Sequence, residues 1–181
     1  SKMTYDGTPA PSITTYDQAR ERTILLDGFS KCYVMTGWRL GYMVVPAVMA
    51  ERLRDYLVSA VSCTAAFTQW AGVEALTGDQ SFIPGMMDRF TRKRDRIVHG
   101  LNQVPGMHCR VPEGAFYAFV NIRETGMTSE ACSEYILNEC RVATVPGTAF
   151  GAAGEGYLRF SYATSLDQID EAVERLIKAF S

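Results

Sequence analysis

Apolar positions in the first part of the chain predict two short strands. The runs at 23–26 and 40–45 have the length of strands, and Pro46 stops the second run. Because both runs are continuously apolar, we expect both strands to be buried. A polar segment, residues 27–39, separates them and ends the first strand at an Asp-Gly pair. This part of the chain therefore combines a short sheet with a polar loop.

Helical spacing of apolar residues follows these strands. The periodicity predicts one helix over 47–60 and a second over 67–76, which Gly78 ends. A third and longer helix is predicted to begin near Ser81 or Pro84 and to run to about Asn102, with an apolar stripe on one side and basic residues on the other. We interpret the basic residues of this helix as a solvated face.

Strands and helices alternate in the remainder of the chain. The apolar patterns predict strands over 106–111, 115–120, 142–145 and 157–162. They also predict two helices, over 129–139 and 166–180. This alternation is typical of an α+β domain.

Polar residues mark where these last two helices begin. Thr128 or Ser129 is expected to cap the first of them, and Ser165 the second, because their side-chain oxygens can accept from the first free backbone N–H groups. A soft boundary lies in the long preceding helix. The sequence thus predicts two parts, residues 1–85 with two strands and helices, and residues 86–181 as a self-contained α+β domain.

Composition limits the partners and the compartment of this protein. Hydrophobic residues make up 47% and charged residues 21%, and the formal net charge is −2, which is ordinary for a globular protein. The sequence has no concentrated basic face that would indicate nucleic-acid binding. It also has no apolar run long enough to span a bilayer. The five cysteines are odd in number and form no C-x-x-C pair. We therefore predict free thiols, a cytoplasmic location and no metal site.

Candidate chemistry lies in the polar segment between the first two strands. Lys31 comes just after a strand that we expect to be buried, so its amine is predicted to face an enclosed space. Burial and nearby cations lower the pKa of a lysine and make its amine a nucleophile toward an aldehyde. Arg39 and Ser30 can bind a phosphate through a guanidinium fork and a hydroxyl. These residues alone are equally consistent with an ordinary surface loop.

A longer run around Lys31 changes that balance. The run from Asp27 to Tyr42 resembles the cofactor-lysine segment of the class I and II aminotransferases, which are pyridoxal 5'-phosphate (PLP) enzymes of the aspartate-aminotransferase fold. The family pattern is Ser-Lys, then Met-Thr-Gly-Trp-Arg, then an apolar residue and Gly. The resemblance implies that Lys31 bonds PLP and moves the substrate Cα proton. It also implies that Arg39, with Ser30, binds the cofactor phosphate.

Three further stretches resemble the same family in the same order. Residues 112–119 are similar to a strand of its small domain, and residues 145–151 to the loop that closes over the substrate. Residues 156–163 resemble the strand whose arginine binds the substrate α-carboxylate, which implies this role for Arg159. The alternatives are a local ion pair for Arg159 and simple packing for Phe150.

The resemblance implies an α/β fold, namely the C-terminal part of a fold-type-I PLP transferase. Residues 1–85 would be the C-terminal remnant of the PLP-binding large domain, ending its sheet, and residues 86–181 its small α+β domain. The family has a long part ahead of this segment, which holds the partner of the cofactor's ring nitrogen. The chain does not begin with methionine, which also favours a fragment. Two strands alone are expected to leave a sheet edge and apolar helix faces uncovered.

The implied function is transfer of an amino group from an amino acid to a 2-oxo acid, in a homodimer, with the fragment inactive alone. Alternatives on the same fold are a β-lyase or a decarboxylase. Another is an aminotransferase-like sensing domain of a transcription regulator, but such domains usually have Pro where this chain has residues 36–38. The fragment can also be an inert domain.

Overall fold

The chain forms two compact units. The computed structural model describes residues 2–5, 7, 10–16 and 18–181. The units are Ser1–Pro84 and Gly85–Ser181. The assignment of these units to the large and small domains of an aminotransferase stays a prediction.

The described part of the first unit contains one two-stranded sheet. Strand β1 (Leu25–Gly28) pairs antiparallel with β2 (Gly41–Val44), so that Leu25 lies opposite Val44. Both predicted strands form, the first of them displaced toward the loop. The prediction that they are buried is wrong, since Leu26 is 72% exposed. A two-stranded ribbon has few neighbours in its own unit, so the apolar run alone did not determine burial.

Helices make up most of the rest of the first unit. Helix α1 spans Ala47–Val61 and α2 spans Ala66–Thr77, close to the predicted ranges. Short 3-10 helices occur at Ile13–Thr15, Arg20–Arg22 and Thr36–Trp38. Helix α1 has no buried residue, and large apolar side chains such as Trp70 in α2 are exposed. The expected uncovered apolar helix faces are therefore confirmed.

The second unit is built on a four-stranded antiparallel sheet. Its strands are β3 (His108–Cys109), β4 (Tyr117–Asn121), β5 (Val145–Pro146) and β6 (Tyr157–Ser161). Their order in the sheet is β3-β4-β6-β5. The predicted strands over 115–120 and 157–162 are confirmed within one or two residues at each end.

Two of the predicted strands are much shorter than the sequence indicated. The run 106–111 contributes only β3, and 142–145 contributes only its last residue, at the start of β5. Arg141 adopts a left-handed conformation, and the N–H of Val142 donates to the carbonyl of Ile136 at 3.4 Å. This backbone closes the preceding helix, and the ladder begins at Val145, which pairs with Arg159.

Three helices accompany the sheet of the second unit. Helix α3 (Phe82–Leu101) crosses the division between the units, and the others are α4 (Ser129–Tyr135) and α5 (Leu166–Phe180). A π-helical turn at Ile136–Cys140 continues α4, and 3-10 helices lie at Arg123–Thr125, Gly147–Phe150 and Ala152–Gly154. Of the helices in the described part of the chain, none has both the length and the apolar character that crossing a bilayer requires.

The helix caps follow the sequence signals. The side chain of Thr128 accepts from the N–H of Ala131 at 3.3 Å, and that of Ser165 accepts from the N–H of Gln168 at 3.3 Å. Both predicted helix starts are confirmed, with Thr128 rather than Ser129 as the cap. The π-helical turn was not predicted, because it changes the hydrogen-bond spacing without changing the apolar pattern.

The core of the second unit lies on one side of its sheet. Alternate residues of β4 and β6 are buried, namely Ala118, Val120, Leu158 and Phe160. Gly100 lets α3 approach α5, since a Cβ at this position would lie 2.5 Å from a methyl group of Val173. Side chains of the other parity, including that of Arg159, therefore stand on the opposite face of the sheet.

Candidate functional site

The loop that carries Ser30, Lys31 and Arg39 is closed by the β1-β2 ladder. Gly28 lies opposite Gly41, and the N–H of Phe29 donates to the carbonyl of Leu40 at 3.2 Å. This bond extends the ladder by one pair beyond the strands. Ser30 and Lys31 therefore directly follow the first strand of the closed ladder, and Arg39 lies directly before the second strand.

The backbone inside this loop is folded by its own hydrogen bonds. The N–H of Val34 donates to the carbonyl of Lys31 at 3.2 Å, and the 3-10 helix Thr36–Trp38 follows. Arg39 ends that helix in the left-handed region, with φ 55° and ψ 47°, and its Nη1 donates to the carbonyl of Thr36 at 2.8 Å. A non-glycine residue in this region is uncommon and concentrates at functional sites.

Apolar contacts anchor the loop to helix α2. Phe29 and Met35 are among the few buried apolar residues of the first unit. At Gly72 of α2, a Cβ would lie 2.4 Å from a methyl group of Leu40 and 3.5 Å from the ring of Phe29. The absence of a side chain at this position lets the helix pack directly on the residues that bracket the loop.

The prediction that Lys31 faces an enclosed space is wrong for the described structure. The Lys31 residue is exposed, as are Thr36 and Arg39. The reason is the same as for β1, since a two-stranded ribbon and the helices of its own unit do not cover the loop. Ser30 is half-buried beside the buried Phe29. The loop brings the predicted residues together on a surface.

The donor groups of this loop fit a phosphorylated aldehyde such as PLP. An amine can form a covalent bond with an aldehyde, while a guanidinium and a hydroxyl suit a phosphate dianion. Trp38 and Arg39 also line an open groove with Thr64 and Thr68. In the described ranges, no three His, Cys, Asp or Glu side chains gather as they would around a metal ion.

Arg159 belongs to the second unit and lies on β6. It pairs with Phe119 of β4 and with Val145 of β5. Its guanidinium carbon lies 4.4 Å from the ring centroid of Tyr117 and 5.0 Å from that of Phe150. None of the ion pairs formed among the described residues includes Arg159, which gives no support to the local ion-pair alternative.

Phe150 makes ring contacts although it is largely exposed, which differs from a residue that only fills the core. Its ring is 57% exposed and also meets the ring of Phe119 edge-on at a centroid distance of 6.2 Å. The contact of Tyr117 with Arg159 was missed by the sequence analysis. The signal was present in the strand parity, because Tyr117 lies two residues before Phe119, the cross-strand partner of Arg159.

The segment that presents Phe150 is held by close backbone packing. A Cβ on Gly147 would lie 2.0 Å from the carbonyl oxygen of Gly154, and Gly151 has φ 115°. The buried hydroxyl of Ser129 accepts from the N–H of Gly156 at 2.9 Å, just before β6. Small residues and one buried hydroxyl thus fix the segment that leads from β5 to β6.

Comparison with known proteins links both units to one family. The family model described as "Aminotransferase class I and II" matches residues 2–176. Aspartate aminotransferase of Pyrococcus horikoshii is 44% identical over 163 residues, which are 89% of this chain and 42% of that protein. Aromatic-amino-acid aminotransferase 2 of Thermococcus litoralis is 40% identical over 176 residues, 96% of this chain and 45% of that protein. The chain spans less than half the length of these curated relatives.

A solved structure gives the same result for the fold. The crystal structure of an aromatic aminotransferase from Pyrococcus horikoshii OT3 matches with a TM-score of 0.93 and 42% sequence identity. The match covers 98% of this chain and 48% of that chain. The predicted fold class is confirmed, since the mixed α/β chain corresponds to the C-terminal portion of such structures.

Proposed function

Since this chain belongs to the class I and II aminotransferase family, we propose that it acts as part of a PLP-dependent aminotransferase. The reaction moves an amino group from an amino acid to a 2-oxo acid. The observation that carries the proposal is the closed loop of the first unit, which joins Ser30 and Lys31 to Arg39 across one hydrogen-bonded pair. Relatives named aspartate and aromatic-amino-acid aminotransferases support it.

The residues of the loop have two roles toward the cofactor, covalent attachment and binding of its phosphate. The amine of Lys31 would hold the cofactor covalently and would also move the proton at the substrate Cα. The guanidinium of Arg39 and the hydroxyl of Ser30 hold the phosphate. When bound, PLP supplies the electron sink that stabilises negative charge at this carbon.

Arg159 supplies the site for the substrate α-carboxylate. A guanidinium binds a carboxylate through two parallel N–H···O bonds, which fix both the position and the plane of the amino acid. The exposed ring of Phe150 lies on this guanidinium, at the surface where a ligand can approach. Arg159 thereby fixes the orientation of the amino acid whose carboxylate it binds.

The family and the free thiols support proposals for the compartment and the oligomeric state. All five cysteines are free, which favours a reducing compartment, and we propose the cytoplasm. We further propose a homodimer, as the family resemblance implies. Because the chain spans less than half of its curated relatives, we expect the 181 residues alone to bind PLP weakly and without turnover.

Mapping of the PLP attachment tests this proposal. The chain has four lysines, Lys2, Lys31, Lys93 and Lys178. We expect added PLP to give an absorbance band at the edge of the visible range. Reduction with borohydride and peptide mass analysis should then locate the label on Lys31. The band should disappear in Lys31→Ala and persist in the matched control Lys178→Ala. Equal labelling of all four lysines, or an unchanged band in Lys31→Ala, would contradict the proposal.

A further inference from the structure

The two rings that contact Arg159 come from different elements of the second unit. Tyr117 lies on β4, while Phe150 ends the 3-10 helix Gly147–Phe150. Both ring centroids lie within about 6 Å of the guanidinium carbon, the range in which a cation is attracted to an aromatic face. A strand and a loop therefore meet on one side chain.

Neighbouring rings support this arrangement. Phe119, directly opposite Arg159 in the ladder, meets Phe150 edge-on and stacks on Tyr157 at 5.0 Å with an angle of 5° between the planes. Tyr157 in turn lies under the guanidinium of Arg123, at 4.9 Å. Phe150 is thus held by Phe119, and Tyr117 by Phe116 at a centroid distance of 4.4 Å, which restricts the positions that both rings can take beside Arg159.

As partners of an arginine, the face of an aromatic ring and a carboxylate act differently. They stabilise its positive charge without accepting conventional N–H···O bonds, so they leave its donors for another group. Among the described residues, the guanidinium of Arg159 donates no side-chain hydrogen bond, and no carboxylate lies within ion-pair distance of it. The protein holds this guanidinium in place while its donors remain available.

We propose that Tyr117 and Phe150 are positioning residues for Arg159. Their rings restrict rotation of the guanidinium, so that less conformational entropy is lost when it binds a carboxylate. The inference rests on the proposed function in one respect, namely that the ligand is the carboxylate of an amino acid or a 2-oxo acid. The contacts lie entirely within the second unit.

Nuclear magnetic resonance of the arginine side chains tests the contact itself. In the unsubstituted chain we expect the Arg159 side-chain protons to be shifted by ring currents and its guanidinium to rotate slowly. Tyr117→Leu and Phe150→Leu should reduce the shift and speed the rotation. Tyr117→Phe keeps the ring face and should preserve both signals. Phe180→Leu is the matched control, because it removes a ring of the same unit that contacts Tyr135 and not the rings beside Arg159.

Titration of the same chains with 2-oxoglutarate tests what the contact does. We expect the Kd read at Arg159 to rise about two- to fivefold in Tyr117→Leu and in Phe150→Leu, the effect of losing one cation–π contact. It should be unchanged in Tyr117→Phe and in the control Phe180→Leu. An unchanged Kd in Tyr117→Leu, or equal weakening in Tyr117→Phe, would overturn the positioning role alone. Failure of the unsubstituted chain to bind 2-oxoglutarate at Arg159 would overturn the proposed carboxylate site and this inference with it.

Discussion

Among single residues, burial determines how the thiols of the chain behave. Burial raises the pKa of Cys132 to about 11 from the ordinary 9.0, because the thiolate loses its hydration. Burial raises the pKa of Cys109 to about 11 in the same way. Cys63, by contrast, is exposed. The folded chain therefore retains protons on buried thiols that the unfolded chain releases.

This difference in pKa predicts a loss of stability in alkali. The contribution of Cys132 is complete below the unfolded pKa of 9.0 and is lost as the pH rises through about 11. We expect the free energy of unfolding, from urea denaturation followed by circular dichroism, to fall more steeply between about pH 9 and about pH 11 in the unsubstituted chain than in Cys132→Ala. Cys63→Ala should keep the original slope. Equal slopes in all three chains would refute the assignment.

Individual site residues were predictable from the sequence to different degrees. The run around Lys31 located three of the candidate residues on one loop, because local sequence determines a hairpin connection. The exposure of Lys31 was not predictable, since it depends on what covers the loop and not on the neighbouring residues. Predicting the contact of Tyr117 with Arg159 also requires the strand register, which the sequence alone does not determine.

Among the elements, the segment from β5 to β6 owes its close backbone packing to glycines. A Cβ at Gly147 would meet the carbonyl oxygens of Gly154 and Tyr157, at 2.0 Å and 2.8 Å. These are backbone atoms, so relief requires the segment to shift. Because Gly147 begins the 3-10 helix that ends in Phe150, a shift also displaces the ring that contacts Arg159.

Substitution of this glycine therefore has a measurable effect on stability. We expect Gly147→Ala to lower the free energy of unfolding by about 1–3 kcal/mol, the usual cost of overpacking. Gly85→Ala is the matched control, because Gly85 lies in α3 and its Cβ would have Arg89 Nη1, at 4.0 Å, as its nearest neighbour. Alanine is the better helix former, so this variant should gain about 0.5–1 kcal/mol. Thermal denaturation of both variants checks the prediction, and a neutral Gly147→Ala would contradict it.

The elements themselves were predicted best where the pattern is long. Helix α5 and its cap Ser165 follow from an amphipathic repeat with a polar start. Strands β3 and β5 were overestimated, because two-residue strands are set by their partners and by the turns beside them. The π-helical turn Ile136–Cys140 leaves no mark in the periodicity. Local signals thus determined the helices, whereas tertiary contacts determined the short strands.

Across the whole molecule, apolar burial is distributed unevenly between the two units. Most of the fully buried side chains belong to the second unit, including Leu101, Val120, Leu158 and Tyr162. In the first unit, Val48, Phe67 and Trp70 are exposed although each is large and apolar. Apolar burial is the main favourable contribution to folding, so the second unit should be the more stable of the two.

Limited proteolysis of the 181-residue chain tests this difference. Chymotrypsin cleaves after large apolar and aromatic residues, and in the first unit Tyr56, Phe67 and Trp70 are exposed on helices with few buried contacts. In the second unit Leu101, Leu158 and Tyr162 are fully buried, and cleavage after them requires unfolding of the unit. Phe119, Leu137 and Phe150 are exposed, but each lies in a hydrogen-bonded element of this unit, so cleavage after them also requires local unfolding. We expect mass spectrometry to find a resistant product that begins near residue 85, while fragments of the first unit disappear earlier. Equal protection of both units at every digestion time would show that the exposed apolar helices do not weaken the first unit.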